Sequence, residues 1–188
     1  PNEIPQMSVG LLLDESGSMC SCDRCTYARS SAIILYDFCK ALHIPVTVYG
    51  HSTSGSSVEL YSYAEFESID NDDKYRMMDI AARGSNRDGA ALRFVAEQLV
   101  KRPEEVKILI LVSDGQPAAP GYYGSAAEED LRGIKQEYRR IGVLFIAAAI
   151  GEDKQNIERI YGDSFMDITD LNQLPVKLTA AVKRHMRV

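Results

Sequence analysis

The string Asp14-Glu15-Ser16-Gly17-Ser18-Met19 follows directly on the apolar run Met7-Ser8-Val9-Gly10-Leu11-Leu12-Leu13. Asp14, Ser16 and Ser18 place one carboxylate and two hydroxyls at alternate positions. These are hard oxygen donors of the kind that suits Mg²⁺ or Mn²⁺, ions that prefer oxygen and retain waters. The same residue types also serve as helix N-caps, where their oxygens satisfy free backbone N–H groups. A second apolar run, Ile108-Leu109-Ile110-Leu111-Val112, ends likewise in Ser113-Asp114-Gly115. Between the two lies the polar loop Gly84-Ser85-Asn86-Arg87-Asp88-Gly89, in which Asn86 offers a neutral carbonyl oxygen and Asp88 a third carboxylate.

Both apolar runs are too continuous for half-exposed strands and too short to span a membrane, so they read as central strands of a parallel sheet. Strand signals fall at 7–14, 45–49, 58–66, 106–112, 143–150 and 165–168, with a turn at 52–57. Helix signals fall at 25–42, 72–82, 88–102, 126–141, 153–161 and 174–186. This alternation predicts an α/β fold: a doubly wound, mostly parallel six-stranded sheet with helices on both faces and one antiparallel edge strand. The first and fourth strands should be neighbours at the topological switch point, which brings Asp14 and Asp114 together where open α/β sheets bind ligands.

A chain of 188 residues with 45% hydrophobic content fits a single domain with a sizeable core. The net charge of −6 argues against a nucleic-acid surface. No apolar stretch reaches the roughly 18 residues of a membrane helix, and no signal peptide is visible.

Other clusters are weaker. Cys20, Cys22 and Cys25 have the spacing of thiolate metal ligands, but Cys39 lies 14 residues beyond Cys25. That is about 21 Å along a helix at roughly 1.5 Å per residue, too far to close the same tetrahedron. Small, partly buried residues around a helix start fit these cysteines better. Asp70, Asp72 and Asp73 begin like a calcium loop, yet Tyr75 and Ala81 stand where its glycine and glutamate belong. An acidic helix start is the simpler reading. His43, His51 and His185 are scattered, and His51 reads as an ordinary loop histidine after the second strand. Tyr122 and Tyr123, flanked by Gly121 and Gly124, should share the rim with the acidic groups, as partner anchors or as local packing.

Strand-tip Asp-x-Ser-x-Ser, a mid-chain polar loop and strand-tip Ser-Asp-Gly, in this order, resemble the von Willebrand factor A (VWA) domain with its metal-ion-dependent adhesion site. The resemblance covers essentially the whole chain. It implies Asp14, Ser16, Ser18 and Asp114 as metal ligands. The middle ligand, usually a threonine, falls at Asn86 here, a departure that leaves Asn86 or Asp88 to fill the role. The segments 86–92 and 112–117, and Gly121-Tyr122-Tyr123-Gly124 running into an acidic helix, are similar to bacterial VWA domains of the CobT and NorD type. These are a cobalt chelatase subunit of cobalamin biosynthesis and a nitric oxide reductase activation protein. That resemblance implies a cytoplasmic, non-catalytic domain from the C-terminal part of a longer chain, consistent with a start at Pro1. It also implies an AAA+ ATPase partner of the MoxR or chelatase kind, and a partner Asp or Glu completing the metal. Neither nucleic-acid binding nor membrane insertion is expected.

The enzyme alternative is a metal-assisted hydrolase or phosphatase using Asp14. Aspartyl-phosphate enzymes need a second acid two residues later, where this chain has Ser16. No Walker-type glycine loop is present.

Overall fold

Unbroken apolar runs ask for burial on both faces, and the two central strands receive it. The computed structural model describes residues 5–67, 70–115, 117–149 and 154–185. Its strands are β1 (Met7–Asp14), β2 (Val46–Ser54), β3 (Ser57–Ala64), β4 (Val106–Val112), β5 (Ala118–Ala119), β6 (Tyr122–Tyr123), β7 (Val143–Ala149) and β8 (Phe165–Asp167). Six of them form one sheet in the order β3-β2-β1-β4-β7-β8, parallel except for the β2–β3 hairpin at one edge. β1 and β4 pair directly, Met7 opposite Val106 through Leu13 opposite Val112, so their tips meet.

Alternate residues point to opposite faces of a strand. Leu11 and Leu13 of β1 pack with Ala28, Ala32 and Leu35 of α1 (Arg24–Ala41) and with Leu174 and Leu178 of α6 (Leu174–His185). Leu12, Leu109 and Leu111 face the other way. They pack with Leu92, Val95 and Leu99 of α3 (Asp88–Val100), Leu131 and Ile134 of α4 (Gly124–Arg140) and Ile157 of α5 (Lys154–Tyr161). The doubly wound, mostly parallel six-stranded sheet with one antiparallel edge strand is therefore present as expected. Of the predicted element ends, Ile150, Asp153 and Met186 lie outside the described residues, as does Gln116.

Two expectations fail. The 52–57 turn is mostly strand: β2 runs to Ser54, and Ser54 pairs with Ser57 across a turn of Gly55 and Ser56 only. Cross-strand partners override the low strand propensity of serine. The 72–82 helix stops early, since α2 spans only Asp73–Met77. Beyond it the main chain is claimed by other groups. Ala81 N donates to Glu15 Oε1 at 2.8 Å and Arg83 N to Glu15 O at 2.6 Å, while the Arg29 guanidinium takes Ile80 O at 2.7 Å.

Glu15 is the anchor of this segment. Its buried carboxylate also accepts from the Tyr63 hydroxyl at 2.8 Å and from Arg83 Nε at 3.3 Å. Gly17 N to Gly84 O (2.7 Å), Gly84 N to Ser52 Oγ (2.8 Å) and the Thr53–Ser85 bridge fix the next residues over the tips of β1 and β2. The arrangement requires a bare Gly50, since a Cβ there would stand 1.7 Å from Glu15 Oε2. Gly50→Ala should therefore expel the carboxylate from its bonds and lower stability by about 2–4 kcal/mol, the range of overpacking plus a broken buried network. Urea unfolding measures this, and an unchanged midpoint would contradict the lock.

Candidate metal centre

The parallel register sets Asp14 beside His51, and because Leu13 faces Val112, Ser113 and Asp114 come next on the neighbouring strand tip. Asp14 is buried and fully engaged. Its Oδ1 accepts from Ser16 N at 2.8 Å, closing a turn typical of aspartate, and its Oδ2 accepts from Ser113 Oγ at 2.8 Å. Ser113 Oγ in turn accepts from Gly115 N at 2.9 Å, so the two strand tips are tied together. The Ser16 and Ser18 hydroxyls lie 3.0 Å apart, with Ser16 buried and Ser18 open to solvent.

Asn86 and Asp88 join this cluster from the loop that opens α3. Asn86 Oδ1 accepts from Ala118 N at 2.9 Å, so the β5–β6 ribbon holds the amide in one orientation. Its Nδ2 donates to Asp88 Oδ2 at 3.1 Å and reaches Asp14 Oδ2 at 3.5 Å. Asn86 thus presents a nitrogen, rather than its oxygen, to the carboxylates. Asp88 Oδ1 lies 3.2 Å from His51 Nε2, and both side chains are sealed from water. The ring N–H is poorly aligned on that oxygen, and His51 Nδ1 has no hydrogen-bond partner among the described residues.

The electrostatics follow from burial. Asp14 is pushed up to about 6, first by burial and then by the charges on Asp88 and Asp114, against the pull of His51 and the Ser16 hydrogen bond. Burial disfavours the charged form of His51, but Asp88, Asp14 and Glu15 outweigh it and raise its pKa. Asp14 thus carries the like charges of Asp88 and Asp114 with one imidazole to offset them, a load that a divalent cation would relieve. Among the described residues no group of three or more His, Cys, Asp or Glu side chains is placed to hold a metal unaided. The hydroxyls of Ser16 and Ser18 are what extend the Asp14 and Asp114 carboxylates to an oxygen-rich set, and that set fits Mg²⁺ or Mn²⁺ with waters retained.

All six expected residues, Asp14, Ser16, Ser18, Asn86, Asp88 and Asp114, thus lie around the central strand tips: Asp14 ends β1, Asp88 opens α3, and the other four follow β1, precede α3 or follow β4. His51 and Ser113 are additions. The loop assignment of His51 is corrected: it is a strand residue in register with Asp14, and it shares its face of β2 with Tyr49, which packs toward α3. The signal was available, since a strand continued past Tyr49 puts His51 on that face. Tyr122 is locally packed, its hydroxyl donating to Asp130 Oδ2 at 2.7 Å, whereas Tyr123 is exposed. Cys20 and Cys22 are exposed, Cys25 Sγ reaches Ile80 O at 3.5 Å, and Cys39 lies in the core, where burial pushes its thiol up to about 12. Asp70 and Asp73 are paired with Arg76 on α2.

Against known families, the sequence model of the cobalamin biosynthesis protein CobT VWA domain matches residues 73–186, well over half of the chain. The chain belongs to this family. The matched part of the VWA domain contains Asn86, Asp88 and Asp114, while Asp14, Ser16 and Ser18 precede it. The uncharacterized protein YojO of Bacillus subtilis is 25% identical over 187 residues, covering 93% of this chain and 29% of that protein. Protein NorD of Brucella suis is 33% identical over 97 residues, covering 50% of this chain and 15% of NorD. This VWA domain therefore spans less than a third of the length of these relatives. Among solved structures, the SpRpn10 VWA domain superposes with a TM-score of 0.58 at 15% identity over 87% of each chain. A von Willebrand factor type A protein from Catenulispora acidiphila gives 0.62 at 16% identity over 90% of this chain and 40% of its own. These likenesses are of fold.

The raised pKa of Asp14 has a stability consequence in the absence of metal. A carboxyl that keeps its proton up to about 6 instead of 3.8 contributes stability below the lower value. That contribution is lost as pH rises through the higher one. Asp14→Asn removes this titration. In chelator it should unfold at a higher urea midpoint than wild type at neutral pH, and the gap should close near about pH 4. Parallel pH profiles for the two proteins would refute the assignment.

Proposed function

We propose that this VWA domain is a Mg²⁺- or Mn²⁺-dependent protein-interaction module, a non-catalytic part of a larger cytoplasmic assembly built around an AAA+ ATPase of the MoxR or chelatase kind. The observation that carries the reading is the meeting of the Asp14 carboxylate and the Ser16–Ser18 hydroxyl pair beside Ser113-Asp114. An ion bound there would supply an electrophilic position to a partner's Asp or Glu, a charge-assisted and directional contact. The chain's own groups prepare for it. Ser16 N and Ser113 Oγ orient Asp14, the two hydroxyls add no charge, and His51 sits against the charge of Asp88, which would otherwise repel an incoming carboxylate.

The family description supports a role in cobalamin biosynthesis, as in metal chelation into a tetrapyrrole. The NorD relatives support nitric oxide reductase activation as the other branch. The hydrolase reading based on Asp14 is weaker. His51 and Asp88 form the imidazole–carboxylate pair at the site, and at 0% and 2% side-chain exposure they offer no proton acceptor to a substrate.

Two measurements test the proposal. At about ten times the dissociation constant, Mg²⁺ should stabilise wild type by roughly 1.4 kcal/mol, a rise of about 3–5 °C in Tm, and should leave Asp14→Ala unmoved. An equal response in both proteins would remove the metal from the site. Asp114→Ala should keep the fold, because the side chain lies past the end of β4, yet lose capture of the cognate ATPase assembly. Chelator should do the same to wild type. Capture that survives both treatments would place the interface elsewhere.

A further inference from the structure

Asn86 joins the acidic cluster to the β5–β6 ribbon through one rigid group. Its side chain is fully buried just ahead of α3. Oδ1 accepts from Ala118 N at 2.9 Å, while Nδ2 donates to Asp88 Oδ2 at 3.1 Å and faces Asp14 Oδ2 at 3.5 Å. The donor on Ala118 is a main-chain N–H, which an amide nitrogen cannot accept. The orientation is therefore fixed, oxygen toward the ribbon and nitrogen toward the acids. The two amide hydrogens supply positive charge between two carboxylates, the service a divalent cation would otherwise perform.

An amide nitrogen and a cation held by the same carboxylates repel each other. To admit an ion, the Asn86 amide must swing away or turn half a circle to offer its oxygen. A planar amide cannot move one end alone, and either movement takes Oδ1 from Ala118 N. That N–H has no ladder partner to fall back on. Ala119 and Tyr122 flank the two-residue turn and exchange the ladder bonds, so the next pair, Ala118 and Tyr123, points its N–H groups outward. Ala118 is exposed, so its freed amide would meet water. The ribbon keeps its other ties, Arg87 to Pro120 O and the Tyr122 hydroxyl to Asp130 Oδ2 at 2.7 Å. Only the corner at Ala118, beside the exposed Tyr123, would come loose.

We propose that Asn86 is a positioning residue that couples the ribbon to the metal centre by competing with the ion for Asp14 and Asp88. The proposal rests on the reading of the strand tips as a Mg²⁺ or Mn²⁺ site. With the amide between the carboxylates, the ribbon is latched at Ala118. An ion that takes those carboxylates displaces the amide and frees that corner. Such coupling is reciprocal, so a partner that draws Ala118 and Tyr123 outward tightens the hold on the ion. The two-ended amide makes this possible, since a hydroxyl at the same position has one polar atom and could not hold both sides.

The test follows hydrogen exchange at the Ala118 amide by NMR, in chelator and in saturating Mg²⁺. Mg²⁺ should speed this exchange by about fivefold or more. The Thr53 amide, bonded to Ser85 O at 2.8 Å on the same rim, should not speed. Ala118→Pro deletes the donor of the latch, and calorimetric titration should show Mg²⁺ bound about fivefold or more tightly. Asn86→Ala cuts the latch from the other end, so the Ala118 amide should then exchange fast with and without Mg²⁺. Exchange at Ala118 that Mg²⁺ slows or leaves alone overturns the latch, as does a Mg²⁺ affinity that Ala118→Pro weakens or leaves unchanged. Faster exchange at both amides would mean a general loosening of the rim and overturns it too. In each of these cases a Mg²⁺-induced rise in the Tm of wild type would leave the strand-tip centre standing. If Mg²⁺ neither binds nor raises that Tm, centre and latch fall together.

Discussion

Negative charge held out of water at the tips of the central strands is the constraint around which this domain is organised. Asp14, Asp88 and Asp114 are all buried, and a lone buried carboxylate is costly unless paired or hydrogen-bonded. The neighbourhood answers that cost in several ways. Ser113 and the Ser16 amide donate to Asp14, the Asn86 amide lies between Asp14 and Asp88, and His51 stands against Asp88. What remains appears as the raised pKa of Asp14. Sites whose acids are left under such tension are those that functional chemistry commonly uses.

The side-chain alternation of a strand explains how one short segment serves two ends. Asp14 and Ser16 turn toward the acidic cluster, while Glu15 between them turns away and binds Tyr63, Ala81 and Arg83. The irregular chain after α2 is therefore fixed by the same residues that end β1. Through Gly84 and Ser85 that chain delivers Asn86 and Asp88 to their places.

Much of this was legible from residue order. Apolar runs such as Leu11-Leu12-Leu13 and Ile108–Val112 ask for burial between two helical layers, and the order of these runs in an alternating chain suggests the first and fourth strands as neighbours at the switch point. What escaped was settled by contacts distant in sequence. Ser52, Thr53 and Ser54 look like a turn until Gly84, Ser85 and β3 supply partners for them. Shortening β2 in that reading also moved His51 off the strand and hid its role. Residues 78–82 have a helical composition, and only the pull of Glu15, Cys25 and Arg29 on their main chain unwinds them. Family membership rests on residues 73–186, so the Asp14–Ser18 motif is supported by geometry and not by that match.

The position of β1 has a mechanical consequence. Asp14 ends a strand bonded in parallel on both sides, to β2 and to β4 along nearly its whole length. A tug on a partner clasped at that tip runs along the strand axis, so the rungs of both ladders are loaded together in shear. An edge hairpin pulled from its end would instead unzip rung by rung, each bond failing alone. A partner bound at that tip, as proposed above, would thus let go before the sheet gave way.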